Sequence, residues 1–271
     1  MSQEKGKESD KFLSAQDWYN RNAEEYFQHK SDGQASPFHA YYEKPAMFAA
    51  LPDLTDRTVL CIGCGSGEEC RELKQHGAAR VIGTDLAEKL VEIAQTQVPE
   101  CEFQTMDMQA LDFPQDQFDF IYSSLALHYA KDWGAVMKGV FNALKPGGTF
   151  LFSTGHPFLE GFVWRQEDNG NRTFREFVID KDRVKKTVEI SGDYLTAGSF
   201  LMRLNSTDEY SMETLHLPLG AMFKTILAAG FQLVDFIEPL PTSEFHDVDP
   251  MNYEMLSKIP AFVIFKLQKP L

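Results

Sequence analysis

The chain has 271 residues, 43% hydrophobic and 24% charged, which is typical of a globular protein with one large α/β domain or two small ones. Acidic residues number 40 and basic residues 26, and the formal charge of −14 argues against nucleic acid and anionic membranes as partners. No run of 18 apolar residues occurs and the polar N-terminus lacks a signal sequence, so we expect a cytoplasmic protein with no membrane span.

The first 56 residues are predicted to form a polar leader followed by a helical cover. Residues 1–13 are polar and are expected to be disordered. From Trp18 to Phe27, aromatic and apolar residues recur at helical spacing, which predicts an amphipathic helix. A second helix is expected over His39–Leu51, with Pro45 near its start or at a kink. Residues 14–56 are therefore assigned to an N-terminal helical cover.

Residues 57–156 alternate short apolar strands with helices, which predicts βαβ units with right-handed crossovers. This region is expected to be the cofactor-binding part of an α/β fold, a doubly wound and mostly parallel sheet with helices on both faces. The strands are predicted at Thr58–Ile62, Arg80–Asp85, Cys101–Thr105, Phe118–Tyr122 and Thr149–Thr154, and the helices at Glu68–His76, Ala87–Gln97 and Asp132–Leu144.

The pattern changes in residues 157–216, where Thr173–Val178 and Val184–Ile190 alternate apolar and polar residues. Such alternation is typical of antiparallel strands with one exposed face, so we interpret 157–216 as an inserted antiparallel cap. Its aromatic residues either form the core of the cap or line a pocket for a ligand. These residues are Phe158, Phe162, Trp164, Phe174, Phe177, Tyr194, Phe200 and Tyr210.

Residues 217–271 return to the α/β pattern and complete a predicted sheet of seven strands. A helix is expected over Leu219–Ala229, and strands over Phe231–Ile237 and Ala261–Leu267 with a short helix at Pro250–Ser257 between them. The chain also contains 22 phenylalanines, an excess that predicts a large apolar interior or pocket.

Three glycines follow the first core strand at alternate positions, Gly63, Gly65 and Gly67. This spacing differs from the G-x-G-x-x-G of nicotinamide and flavin binders, and the loop lacks the ending of a P-loop. Three glycines in five residues exceed what a tight turn requires, so close approach of the backbone to a ligand is predicted. Glu68 and Glu69 would repel a pyrophosphate at the start of the helix, which favours a cofactor without phosphate groups.

Two acids follow the next two strands of this predicted sheet. Asp85 ends the second strand, where its carboxylate can accept hydrogen bonds from ribose hydroxyls, cap the following helix, or do both. Asp107 follows the third strand between Met106 and Met108. A carboxylate there can accept from an adenine amino group while the methionines pack on the ring.

These motifs resemble those of the class I S-adenosylmethionine-dependent methyltransferases, and within them the UbiE/type-11 group. The resemblance is carried by Cys61–Gly67, Val81–Asp85, Asp107–Met108, Phe118–Ile121 and Leu144–Gly148. It implies a Rossmann-like methyltransferase fold, S-adenosyl-L-methionine as cofactor, S-adenosyl-L-homocysteine as product, and in-line methyl transfer to a small-molecule acceptor. The cofactor-binding residues that it implies are Tyr19, Tyr26, Gly63, Cys64, Gly65, Ser66, Gly67, Asp85, Leu86, Asp107, Met108, Ser123 and Ser124.

One position departs from the family pattern. Two residues before the first glycine, members of the family usually carry an acid that helps to hold the methionine amino group, and this chain has Cys61. Recognition of the ammonium then falls to backbone carbonyls near Gly63, to water, or to the N-terminal helix. The departure leaves a second hypothesis open, a non-catalytic S-adenosylmethionine-binding or regulatory protein with the same fold.

Two histidines beyond strand ends are the candidate catalytic residues. His128 follows the fourth core strand and is either a base or substrate ligand, or the cap of a short helix. His156 precedes Pro157 at the end of the fifth strand, where it is either a substrate-side residue or part of a rigid strand exit.

The cysteines do not predict a metal site. Cys61, Cys64 and Cys70 fall on a strand, a turn and a helix, and no second C-x-x-C or histidine pair completes four ligands. The sequence thus predicts no metal, a small-molecule acceptor for which an aromatic or apolar compound is one candidate, no nucleic-acid partner, and a monomer or homodimer.

Overall fold

The computed structural model describes residues 11–31, 36–160, 165–166, 172–173, 194–202 and 210–271. Its strands are β1 Lys11–Leu13, β2 Thr58–Ile62, β3 Arg80–Asp85, β4 Glu102–Thr105, β5 Phe118–Ser123, β6 Leu144–Gly155, β7 Arg165–Gln166, β8 Arg172–Thr173, β9 Gly198–Met202, β10 Tyr210–His216, β11 Gln232–Ile237 and β12 Phe262–Gln268.

The helices flank these strands and follow them in the chain. The α-helices are α1 Ala15–Arg21, α2 Ala23–Ser31, α3 Lys44–Ala49, α4 Glu68–Gln75, α5 Glu88–Gln97, α6 Trp133–Ala143, α7 Pro157–Glu160, α8 Leu219–Ala228, α9 Ser243–Val248 and α10 Pro250–Leu256. A π-helix covers His39–Glu43, and 3-10 helices cover Met108–Ala110 and Leu127–Tyr129. No helix among the described residues is long and apolar enough to cross a membrane.

The central sheet has seven strands in the order β11-β12-β6-β5-β2-β3-β4, which confirms the predicted α/β class. All neighbours from β6 to β4 pair in parallel, whereas β12 pairs antiparallel with both β6 and β11. The chain runs outward from β2 to β3 and β4, and then returns to β5 on the other side of β2. Ligands of such sheets bind beyond the carboxyl ends of the strands at this reversal.

Apolar side chains fill both faces of the sheet. One face packs residues of β2, β5, β6 and β12 against α6 and α8, and the opposite face packs against α3, α4 and α5. The ring of Phe152 stacks on Phe150, with centroids 4.8 Å apart, and on Phe265 at 5.1 Å. Phenylalanines of α8 and β11 extend this cluster. The phenylalanine excess therefore builds much of the main core.

Four elements differ from those predicted. The helix expected over His39–Leu51 is a π-helix followed by α3, and the helix expected between Trp18 and Phe27 is divided at Asn22 into α1 and α2. Strand β6 begins at Leu144 because the segment after it pairs with the C-terminal residues: the Gly147 N–H donates to the Lys269 carbonyl and the Lys269 N–H donates to the Gly148 carbonyl. Helix α9 was not predicted.

Residues 11–13 of the predicted leader form a strand, and the segment assigned to the inserted cap contains the antiparallel pairs β7–β8 and β9–β10. Lys11–Leu13 form β1, which pairs in parallel with Tyr210–Met212 at the start of β10, while β9 pairs antiparallel with the other edge. The small sheet is therefore mixed, and it joins the N-terminal residues to the end of the segment assigned to the cap. Three residues are too few to show a strand pattern in the sequence. The strands predicted at 173–178 and 184–190 lie outside the described residues, apart from Thr173 in β8.

Candidate functional site

The glycine loop joins β2 to α4 with left-handed backbone at all three glycines: φ is +65° at Gly63, +54° at Gly65 and +92° at Gly67. A Cβ added to Gly63 would lie 2.4 Å from Cβ of Ala126, and one added to Gly67 would lie 3.0 Å from the Phe103 ring. These two glycines are required by internal packing as well as by φ. A Cβ added to Gly65 would instead lie 3.4 Å from the ring of Tyr26, which belongs to the N-terminal helix α2.

Asp85 connects this loop to the next helix. Its Oδ2 accepts a hydrogen bond from the Gly65 N–H and its Oδ1 accepts one from the Ala87 N–H, both at 2.9 Å. Burial raises the pKa of Asp85, while these backbone hydrogen bonds oppose that change. Asp85 therefore holds Ala87, the residue that precedes α5 and provides no side-chain cap for that helix. Each carboxylate oxygen has two lone pairs, so each can accept one more hydrogen bond from a ligand hydroxyl.

Three tyrosines cover Asp85 and Gly65. The hydroxyl oxygens of Tyr19 and Tyr129 are 3.0 Å apart, and the rings of Tyr19 and Tyr26 meet edge to face with centroids 5.2 Å apart. Burial raises the pKa of Tyr19 well above its usual value, and the charge of Asp85 adds to the increase. The structure thus brings Tyr19 and Tyr26 to the loop, as the resemblance implied, and adds Tyr129, which had no motif to identify it.

The predicted adenine-side residues lie beside the loop. Oδ1 of Asp107 accepts a hydrogen bond from the Gln109 N–H at 2.8 Å, so this carboxylate caps the 3-10 helix that begins at Met108. The terminal methyl group of Met108 lies 3.9 Å from the position of a Cβ on Gly63. Leu86, directly after Asp85, is 36% exposed.

Three of the predicted cofactor-binding residues have buried side chains. Cys64 and Ser66 are each 1% exposed, and the Ser66 hydroxyl donates to Glu68 at 2.8 Å. Ser123 is fully buried and donates to the Ile62 carbonyl at 2.9 Å. At these positions only backbone groups remain for a ligand.

An ion network behind the loop was not predicted. Nζ of Lys30 lies 2.9 Å from Oε1 of Glu69, and His39 contacts Glu69 through Nε2 at 2.8 Å and Glu43 through Nδ1 at 2.9 Å. Burial lowers the pKa of His39, but the hydrogen bonds to Glu43 and Glu69 outweigh it and bring the pKa to about 9. Burial similarly opposes ionisation of Glu69, yet Lys30 and His39 hold its pKa well below the usual value.

The two candidate histidines have different surroundings. Burial lowers the pKa of His128 to about 4, and its Nδ1 is buried with no hydrogen-bond partner among the described residues. Nδ1 of His156 accepts from the Phe158 N–H at 3.1 Å, and its Nε2 is 3.1 Å from Oε1 of Glu238. Burial lowers the pKa of His156, against the opposing effect of Glu238. His156 is thus held at the strand exit, whereas Nδ1 of His128 is buried without a hydrogen-bond partner among the described residues.

Cys61, Cys64, Cys70 and Cys101 are all buried free thiols. In the part of the chain that the structure describes, no three histidine, cysteine or acidic side chains come together as metal ligands do.

Comparisons with known proteins identify the family. A family model described as a methyltransferase domain matches residues 60–152, from β2 into β6. The crystal structure of an S-adenosylmethionine-dependent methyltransferase from Mesorhizobium loti is 31% identical, and the match covers 83% of this chain and 97% of that chain with a TM-score of 0.66. This chain belongs to the S-adenosylmethionine-dependent methyltransferases.

Other relatives of this methyltransferase define how far the similarity reaches. A protein of Haemophilus influenzae described as uncharacterized is 26% identical over 241 residues, which are 84% of this chain and 87% of that protein. A demethylmenaquinone methyltransferase from Lactococcus lactis is 33% identical over 117 residues, which are 40% of this chain and 46% of that enzyme. The match with this named enzyme therefore spans less than half of its length.

The residues present fit S-adenosylmethionine, the cofactor of the family. Asp85 retains acceptor capacity at the strand end, the Tyr26 ring lies beside Gly65, and Glu68 and Glu69 make the start of α4 unsuitable for a phosphate. Its product after methyl transfer is S-adenosylhomocysteine.

Proposed function

We propose that this methyltransferase transfers the sulfonium methyl group to a small-molecule acceptor by in-line displacement. The observation that carries the proposal is the cover over the carboxyl edge of the sheet. The hydroxyl of Tyr19 in α1 is hydrogen-bonded to the hydroxyl of Tyr129, which follows β5. Strand β10 packs against both α1 and the 3-10 helix Leu127–Tyr129. A covered site admits a small acceptor more readily than a macromolecule, and the charge of −14 argues against a nucleic-acid substrate.

The chain's own residues have distinct roles in this proposal. Asp85 accepts hydrogen bonds from the ribose, the Gly65 backbone lies against the cofactor, and Asp107 accepts from the adenine amino group while Leu86 and Met108 pack on the ring. The cofactor supplies an electrophilic methyl group when bound. The protein therefore has to align the acceptor with that methyl and exclude water from the reaction.

His128 is the proposed contact for the acceptor. Its buried Nδ1, which has no hydrogen-bond partner in the part of the chain that the structure describes, can accept a hydrogen bond from a hydroxyl or amine of the acceptor. With a pKa of about 4, the imidazole is neutral at physiological pH but is a weak base. Positioning of the acceptor is therefore its proposed role, and an acceptor that must lose a proton would need to be acidic itself or to lose it late in the reaction.

Calorimetry with S-adenosylhomocysteine tests the cofactor site. Replacing Asp85 by Ala should weaken binding by about 2 kcal/mol, because hydrogen bonds to a charged group are lost. Asp112→Ala is the matched control, since Asp112 is an exposed carboxylate. Equal affinity of the Asp85→Ala variant and the unchanged protein would contradict the assignment.

A labelling experiment tests the class of acceptor. The protein is incubated with S-adenosylmethionine carrying a labelled methyl group and with separated small-metabolite, protein and RNA fractions of a cell extract. We expect the label in the small-metabolite fraction, with stoichiometric release of S-adenosylhomocysteine. Label in the protein or RNA fraction instead would show that the acceptor is macromolecular.

A further inference from the structure

The acid that the family carries before the glycine loop is replaced here by Cys61, and this change raises the question of what holds the methionine ammonium. Cys61 is 2% exposed and packs among apolar residues on the α3 and α4 face of the sheet. A buried thiol is a weak hydrogen-bonding group and carries no charge when protonated. The hydrogen-bond acceptor for the ammonium must therefore come from another element.

Glu43 at the end of the π-helix is the carboxylate that the fold brings to the neighbouring strand ends. It is fully buried. Oε1 accepts hydrogen bonds from the Ser124 hydroxyl, at 2.9 Å, and from the Ser153 hydroxyl, while Oε2 is 2.9 Å from Nδ1 of His39. The Ser153 oxygen in turn accepts from the Leu125 N–H at 2.9 Å. Glu43 thus fixes the backbone turn that follows β5 as well as the Ser124 side chain.

This turn lies directly against the glycine loop. Ala126 occupies the space beside Gly63, and Ser123 is bonded to the carbonyl of Ile62, the residue between Cys61 and Gly63. Ser124 is only half-buried, whereas Glu43 behind it has no exposed surface. A ligand beside the loop can therefore touch Ser124 but not Glu43.

The polar region around Glu43 also contains an unsatisfied group. The Tyr122 hydroxyl is buried and has no hydrogen-bond partner among the described residues. Burial raises the pKa of Tyr122 well above its usual value, and the charges of Glu43 and Glu69 add to the increase. Leaving a buried hydroxyl unpaired is unfavourable, so this region is incomplete without a further polar partner.

We propose that Ser124 Oγ accepts a hydrogen bond from the ammonium of the cofactor's methionine part, and that Glu43 is the positioning residue that orients Ser124. Because the Ser124 hydroxyl donates its proton to Glu43, its oxygen lone pairs are free to accept. The negative charges of Glu43 and Glu69 balance the positive charges of Lys30 and His39. The network therefore adds no net charge beside the ammonium and carboxylate groups of the cofactor's methionine part. This inference rests on the proposed function and assigns one part of that site.

The test compares two ligands that differ only at the amino group. Calorimetry measures the affinity of S-adenosylhomocysteine and of its analogue with hydrogen in place of the amino group, at one pH, for each variant. Glu43→Gln keeps the side-chain shape, and Ser124→Ala removes the proposed acceptor. Each should weaken S-adenosylhomocysteine by roughly tenfold while changing the analogue by less than about twofold, because a charge-assisted hydrogen bond is lost only with the amino ligand. If Glu43→Gln does not fold, Ser124→Ala alone decides.

Glu72→Gln is the matched control. Glu72 is a partly buried carboxylate on the same face, paired with Lys44 at 2.6 Å, and it makes no bond to Ser124. This variant should keep both affinities. Equal weakening of both ligands by Glu43→Gln and Ser124→Ala, no weakening of either, or an amino-dependent loss in Glu72→Gln would overturn the assignment. If the unchanged protein bound neither ligand, the proposed cofactor site itself would fail as well.

Discussion

At the scale of single residues, Gly63 shows how one position serves both backbone and packing. Its φ of +65° is unfavourable for other residues, and a Cβ there would lie 2.4 Å from Cβ of Ala126. Gly63→Ala should therefore destabilise the protein by about 2–4 kcal/mol, combining the left-handed backbone with overpacking. Urea unfolding of the two proteins measures the difference.

Gly220→Ala serves as the control for this substitution. Gly220 lies in α8, and a Cβ there meets nothing within 4 Å. Alanine should leave the stability unchanged or increase it by up to about 1 kcal/mol, because glycine is a poorer helix former. A Gly63→Ala protein as stable as the Gly220→Ala protein would contradict the tight packing at Gly63.

The buried imidazole of His128 should make the free energy of unfolding depend on pH, which is also an effect of a single residue. Its pKa is about 4 in the folded protein, whereas an unfolded histidine titrates near about 6.5. As pH falls from 6.5 to 4, the unfolded state binds a proton that the folded state does not bind. Stability should fall by about 3 kcal/mol over this range from this group. His128→Gln should lose less stability than the unchanged protein between pH 6.5 and 4.5, and parallel curves would show that the imidazole is not buried in its neutral form.

At the scale of elements, ion pairs connect the π-helix with α4, and α4 with α2. His39 of the π-helix is the central residue of this network. Its folded pKa of about 9 lies above the unfolded value, so its contribution is complete below about pH 6.5 and is lost as pH rises through 9. The contribution is about 3 kcal/mol. Glu69 has the opposite sign, because its depressed pKa gives stability above about pH 4.5 that is lost in acid.

Replacing His39 by Gln should therefore flatten the stability profile between pH 6.5 and 9. Urea unfolding at pH 6, 7.5 and 9 measures this, with His246→Gln as control because His246 is exposed on α9. An equal loss of stability with rising pH in the His39→Gln and unchanged proteins would contradict a charged His39 in the network.

The elements also show which parts of the structure the sequence could predict. The core strands are uninterrupted apolar runs bounded by glycines and acids, so β2 to β5 and the loop at Gly63 followed from local pattern. The contacts of Glu43 did not, since its partners Ser124 and Ser153 are 81 and 110 residues away in the chain. Neither the π-helix nor its charge partners has a local signal, and only the folded chain brings them together.

At the scale of the whole molecule, the small sheet of β1, β10 and β9 joins two distant parts of the chain. Strand β1 pairs with β10 in the register Lys11 with Tyr210, Phe12 with Ser211 and Leu13 with Met212. Deleting residues 1–13 should expose this edge of β10, and the backbone N–H groups of 210–212 should exchange with solvent faster. Hydrogen exchange measures this, with β11 as an internal control on another sheet. Unchanged exchange in 210–212 would contradict the pairing.

The pairing of β1 with β10 has a consequence for synthesis on the ribosome. The strands of the central core from β2 to β6 can associate once residue 155 has emerged, because their partners are close in sequence. Strand β1 emerges first of all but has no partner until residue 210 follows it, and such long-range contacts form late. The nascent chain should therefore acquire its cofactor-binding core before its cover, so an early folding intermediate exposes the loop that the finished enzyme encloses.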